Sequence, residues 1–196
     1  VINIVTKKPS FERSGYVSST LGNFNTKKVK SYITGPLNET TAYSLSANVH
    51  QSDGHTDNVT TGSDMNNRDR FGFRGELLFQ PSDDLSIRLT ADYDEYDETC
   101  CAVGSTSYGV GNQIQSLMGG RIIPNNVFTQ KVFYDFDPET EGDNSGLSMH
   151  IKKDLKGMTL ESISAFRNTF TYSVQDVDFD GGSLVNPSPI SNDRDA

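Results

Sequence analysis

Along much of this 196-residue chain, apolar and polar side chains alternate residue by residue, in runs long enough to fix the backbone as β-strand. The clearest run is residues 41–52, with Tyr43, Leu45, Ala47 and Val49 on one face and Ser44, Ser46, Asn48 and His50 on the other. Residues 68–80 set Phe71, Phe73, Leu77 and Phe79 against Arg70, Arg74 and Glu76. Residues 85–96 set Leu85, Ile87, Leu89, Ala91 and Tyr93 against Ser86, Arg88, Thr90, Asp92 and Asp94. Residues 15–22, 28–35, 146–153 and 158–174 complete a set of seven candidate strands. A period of two puts one kind of side chain on each face of a sheet and smears it around a helix, so the fold class is all-β.

The connections carry a second pattern. Gly35-Pro36-Leu37-Asn38-Glu39-Thr40, Pro81-Ser82-Asp83-Asp84 and Asp154-Leu155-Lys156-Gly157 are short and built of turn-forming residues. Between them fall the long segments 53–67, 97–145 and 175–196. The first connection, 23–26, is short but lies on the same side as the long ones. Successive connections of an up-and-down barrel lie at opposite ends, and outer-membrane barrels have short periplasmic turns and long extracellular loops. A soluble β-sandwich gives no reason for this alternation. The three clearest strands also reach the roughly 9–11 residues that a tilted membrane crossing needs, against about 5–6 in soluble domains.

Only 34% of the residues are hydrophobic, and the mean hydropathy is -0.53. Such values are common in disordered chains, yet the strict alternation contradicts disorder. A transmembrane β-barrel dilutes its hydrophobicity in this way, because every second side chain faces a polar lumen. No run of about 18 apolar residues exists, so a membrane-spanning helix is excluded. A formal net charge of -9 argues against nucleic-acid binding.

The chain begins Val1-Ile2-Asn3-Ile4-Val5-Thr6-Lys7-Lys8-Pro9-Ser10, a short β-branched strand stopped by proline. With no initiator Met and no signal sequence, it is expected to start inside a larger protein. This segment resembles the end of the plug domain of TonB-dependent outer-membrane receptors. In order along the chain, further pieces resemble the early barrel of the same family. They are Gly35-Pro36-Leu37, Ser52-Asp53-Gly54-His55 with Asn58, Arg74-Gly75-Glu76-Leu77 before Pro81-Ser82-Asp83-Asp84-Leu85, and Asp92-Tyr93 leading to Cys100-Cys101. Ser162-Ile163-Ser164-Ala165-Phe166-Arg167, followed by Asp176-Val177-Asp178, closes the series.

The resemblance implies that residues 1–9 end a plug and that residues 10–196 are the N-terminal part of a transmembrane antiparallel up-and-down β-barrel. That part would be an open wall of about seven strands from an expected 22, with extracellular loops 53–67, 97–145 and 175–196. It implies a location in the outer membrane of a Gram-negative bacterium and active uptake of a scarce ligand: a ferric siderophore, haem, cobalamin or a glycan. The implied partners are outer-membrane lipid and lipopolysaccharide, the chain's own plug, and the TonB complex through a region N-terminal to this one. No cofactor and no enzymatic activity are expected. A passive porin-like barrel and an extracellular structural or adhesive β-protein are the alternatives.

No catalytic constellation appears. His50, His55 and His150 are far apart in sequence, without the order of a nucleophile, base and acid around them. Arg70, Arg74 and Glu76 share a face, as do Arg88, Asp92 and Asp94, so cross-strand Arg–carboxylate pairs are expected on a face that also holds the plug. Cys100 and Cys101 are adjacent, which leaves partners elsewhere geometrically easier than each other, and no zinc-site spacing is present. The acids Asp135, Asp137, Glu139, Glu141 and Asp143, and Asp176, Asp178 and Asp180, read as solvated loop residues in preference to a Ca²⁺ site. Tyr108, Phe128, Phe133, Tyr134 and Phe136 are aromatic loop residues expected mostly to pack the loop. Asn38-Glu39-Thr40 and Asn58-Val59-Thr60 match the glycosylation pattern by chance.

Overall fold

The computed structural model describes residues 6–103, 128–177, 181 and 189–195. In chain order its strands are β1 (Ser14–Gly22), β2 (Thr26–Pro36), β3 (Thr41–Ser52), β4 (Thr56–Asn58), β5 (Asp64–Met65) and β6 (Arg68–Ser82). They continue as β7 (Leu85–Glu98), β8 (Lys131–Val132), β9 (Glu139–Leu155), β10 (Met158–Val174) and β11 (Ile190–Asp195). Among the described residues there is no helix. An 8-stranded sheet runs β1-β2-β3-β6-β7-β9-β10-β11, every neighbouring pair antiparallel. A 3-stranded sheet, β5-β4-β8, is built from the long connections.

All seven expected strands are present, with two corrections. β9 begins at Glu139, so Glu139, Glu141 and Asp143 lie in a strand and not in a loop. β11 is an eighth strand, formed inside the segment read as a terminal loop. Both missed stretches are polar on both faces, so they carry no period of two for the sequence to show. The strand expected at residues 1–5 lies outside the described residues, as do Tyr108, Asp178 and Asp180.

Turn chemistry explains how the hairpins close. Phe24 and Asn25 both adopt left-handed backbone, φ 55° and 51°, which is the two-residue hairpin turn whose twist matches its strands. Thr26 donates to the Asn23 carbonyl from its amide (3.2 Å) and its hydroxyl (2.6 Å). At the other end, the Asn38 side chain accepts from the Thr40 amide at 2.9 Å and hydroxyl at 3.1 Å. Gly157 takes φ 85° between β9 and β10.

Residues directly opposite in antiparallel strands point to the same side. One unbroken row therefore crosses the sheet through Ile33, Leu45, Gly75, Ala91, Leu147 and Phe166. The row below it joins Tyr43, Leu77, Leu89 and Met149. This apolar face is the open one: Val17 is 77% exposed, Leu45 54%, Phe73 48%, Leu147 63% and Phe166 57%. The opposite face is polar, and its residues on the middle strands are covered, with Thr34 1%, Ser44 5%, Glu76 5% and Thr90 6% exposed. Leaving a large apolar side chain in water forgoes about 1.5–3 kcal/mol per residue relative to burial. The large sheet is thus inside out with respect to water.

Candidate functional site

The polar face is organised around glycines. Asp92, Gly146 and Arg167 share one row on β7, β9 and β10. A side chain at Gly146 would meet the Arg167 guanidinium, whose Nη2 lies 2.6 Å from where its Cβ would be. Arg167 therefore reaches over the intervening strand and donates to both oxygens of Asp92, at 2.8 and 3.0 Å. Arg74 continues the lattice, 3.9 Å from Asp92 and 2.6 Å from Glu76. Glu76 is a buried acid, and its second oxygen has no hydrogen-bond partner among the described residues. Tyr96 lies over Gly142 in the same manner.

Nearer the loops, the Glu98 side chain is 3% exposed and holds two arginines. Arg70 forms a two-pronged pair with it, and Arg68 lies at 3.3 Å. Of the expected cross-strand partners, Arg70 and Arg74 meet carboxylates on β7. Arg88 is in register with His150 and has no acid within ion-pair distance among the described residues. His150 lies 2.5 Å from Glu161 on β10. His50 shares its row with Lys28 and Arg70, and His55 packs its ring against Phe24 at 5.9 Å.

Residues 6–10 run along this same face before β1 begins. The Ser10 amide donates to the Thr34 hydroxyl at 2.9 Å, Arg74 donates to the Thr6 hydroxyl at 3.3 Å, and the Lys7 ammonium sits 5.4 Å from the centre of the Tyr32 ring.

The long connections brace one another. β4, from the first, pairs parallel with β8, from the second, over a small core of Met65, Val132 and Tyr134 with Ala102 against it. Asp137 pins the two together: one carboxyl oxygen accepts from Ser63 (2.5 Å), Thr61 (2.7 Å) and Asn58 (3.0 Å). Burial works to raise the Asp137 pKa, but those three hydrogen bonds outweigh it and hold the carboxyl below its ordinary value. Burial pushes the Tyr134 hydroxyl up to about 12. That hydroxyl accepts from the Val103 amide at 2.8 Å and donates to the Val103 carbonyl at 2.9 Å. Asn66 grips Ala102 from both its amide and its carbonyl.

Cys100 and Cys101 are bonded to each other, against the expectation of partners elsewhere. The Cys100 carbonyl accepts from Thr140 at 2.9 Å and Gln175 at 3.0 Å, tying the disulfide to the starts of β9 and the last long connection. Of the aromatic loop residues, Tyr134 packs the loop core, while Phe128 is 89% exposed. Among the described residues no cluster of His, Cys, Asp or Glu is arranged to hold a metal ion.

Two arrangements here were illegible in sequence. Asp92 and Arg167 are separated by 75 residues, and Asn58 and Asp137 by 79. Gly146, interrupting a polar strand face, was the one local signal for the first; the second had none. No protein-family model matches the chain, and no curated protein matches it.

Proposed function

We propose that this chain is part of the wall and extracellular mouth of a TonB-dependent outer-membrane receptor. In that reading the apolar face meets lipid, the polar face lines a lumen, and the braced loops stand at the entrance through which a scarce ligand is actively taken up. The observation that carries the reading is the inverted polarity of the large sheet, combined with long connections at one end only. From Phe71 to Phe79 the outward apolar side chains run about 26 Å along β6, at about 3.3 Å per residue. A strand tilt of 35–45° brings this to about 20 Å, close to the apolar band of about 25 Å on outer-membrane barrels. Residues 6–10 support the plug, because they approach β1 across the polar face, as a segment leaving a filled lumen must.

The test is made on the complete gene product. It is expected in the outer-membrane fraction as a band whose gel mobility changes on boiling, and deletion of its gene should abolish growth on one scarce iron or nutrient source only while TonB is intact. A heat-modifiable band with uptake independent of TonB would favour a passive porin. Recovery as a soluble protein without detergent would overturn the barrel.

A further inference from the structure

Residues 99–103 are a crossing point for the long connections. From the first of these, the Asn66 amide donates to the Thr99 carbonyl at 2.7 Å, and the Asn67 side chain accepts from the Thr99 amide at 2.6 Å. The Asn66 side chain donates to the Ala102 carbonyl at 3.1 Å and accepts from the Ala102 amide at 2.9 Å. Tyr134, between β8 and β9, meets the Val103 amide and carbonyl with its one hydroxyl. Thr140 at the start of β9 and Gln175 just after β10 both donate to the Cys100 carbonyl. Stretches far apart in sequence thus meet on one short segment.

The Cys100–Cys101 disulfide lies in the middle of that segment. Because the two cysteines are neighbours, the ring that the bond closes includes the peptide unit between them. The Cys100 carbonyl carbon is a member of that ring, so the bond restricts where its oxygen points. That oxygen is the one Thr140 and Gln175 share. Opening the ring returns backbone freedom to both residues, which works against an ordered arrangement. Access is one-sided: Cys100 is 5% exposed, whereas Cys101 is open to solvent.

We infer that Cys101 is a thiol-exchange site and that the disulfide is a redox clasp on the long connections, opened by a small dithiol in the medium. A thiolate of the dithiol attacks the exposed Cys101 Sγ and forms a mixed disulfide. The electron pair of the broken S–S bond leaves on Cys100 Sγ, which takes a proton. The second sulfur of the dithiol, as thiolate, then attacks the reagent's own sulfur in the mixed disulfide. Cys101 leaves as a thiolate and is protonated, and the dithiol departs as a cyclic disulfide. The hydrogens lost by the dithiol are thereby balanced by those gained on the cysteines. With the ring open, the Cys100 carbonyl releases Thr140 and Gln175, and the hold on Asn66 and Tyr134 loosens with it. The clasp depends on the loops alone, so it stands whether or not the large sheet is a barrel wall.

The complete gene product in detergent micelles is treated with dithiothreitol, and amide hydrogen exchange is read by mass spectrometry before and after. Peptides carrying Asn66, Thr99, Ala102 and Val103 should exchange roughly tenfold faster or more after reduction, while those of β6 and β7 keep their rates. Reoxidation should restore slow exchange. C100S/C101S should exchange fast at the same peptides without reductant and respond no further to it. A maleimide should label Cys101 only after reduction. Unchanged exchange after full reduction, or a response to dithiothreitol retained in C100S/C101S, would overturn the clasp. So would labelling of Cys101 in the untreated protein, or a bond that dithiothreitol leaves intact in the folded state. Should C100S/C101S fail to fold, the wild-type protein with and without reductant decides the matter by itself.

Discussion

Gly146 has no side chain on the polar face, and the Arg167 guanidinium occupies the space where one would project on its way to Asp92. Gly146→Val is therefore expected to lower stability by about 1–2 kcal/mol, a charge-assisted bond discounted because Arg167 is half exposed. The same substitution made in an Asp92→Asn background should cost clearly less, because the bridge is already gone. Thermal melts of the four proteins in micelles measure the coupling; equal losses in both backgrounds would show that Gly146 serves only the backbone. Asp137 makes a second prediction at this scale. Its folded pKa is depressed, so its three hydrogen bonds contribute fully above the unfolded value of about 4 and are lost as pH falls through the depressed one. The near-ultraviolet signal of the braced loops should decay below about pH 4. In Asp137→Asn it should lack that transition, and an identical acid transition in the variant would assign it elsewhere.

At the scale of the strand, the two faces of β3 give opposite predictions. Leu45 is 54% exposed and pairs with Gly75 midway along the apolar row of β6. Were this face in water, Leu45→Arg would change stability by no more than about 0.5 kcal/mol. Facing the middle of a bilayer, it should cost about 2–4 kcal/mol. Denaturant titration of the complete gene product refolded into vesicles distinguishes the two, and a near-neutral result would remove lipid from this face. The strands also show where the period-two pattern stops. β3, β6 and β7 alternate over most of their lengths because one side chain in two faces the open apolar side. The first half of β9, from Glu139 to Ser145, and all of β11 lack that contrast, and their sequence looks like loop for that reason.

Among the described residues, the large sheet has two free edges, β1 and β11, and its apolar face is uncovered. Unpaired edges and broad apolar patches drive association in water. The 196-residue chain expressed by itself is expected to aggregate in buffer. A soluble monomer on a sizing column would contradict the barrel reading. The braced loops differ, since their small core of Met65, Val132 and Tyr134 has the ordinary polarity of a water-soluble unit.

The strand set, its two faces and the alternation of short and long connections were written in the sequence, because each depends on neighbours one to four residues apart. The tertiary structure decided what depends on partners brought from far away. It carried β9 and β11 into polar stretches by hydrogen-bonding them to β7 and β10, paired Cys100 with Cys101, and joined Asn58 to Asp137 across 79 residues. It also set Lys28, His50 and Arg70 in one row. Register, which no local pattern of polar residues specifies, is the physical reason that this row was hidden until the strands were side by side.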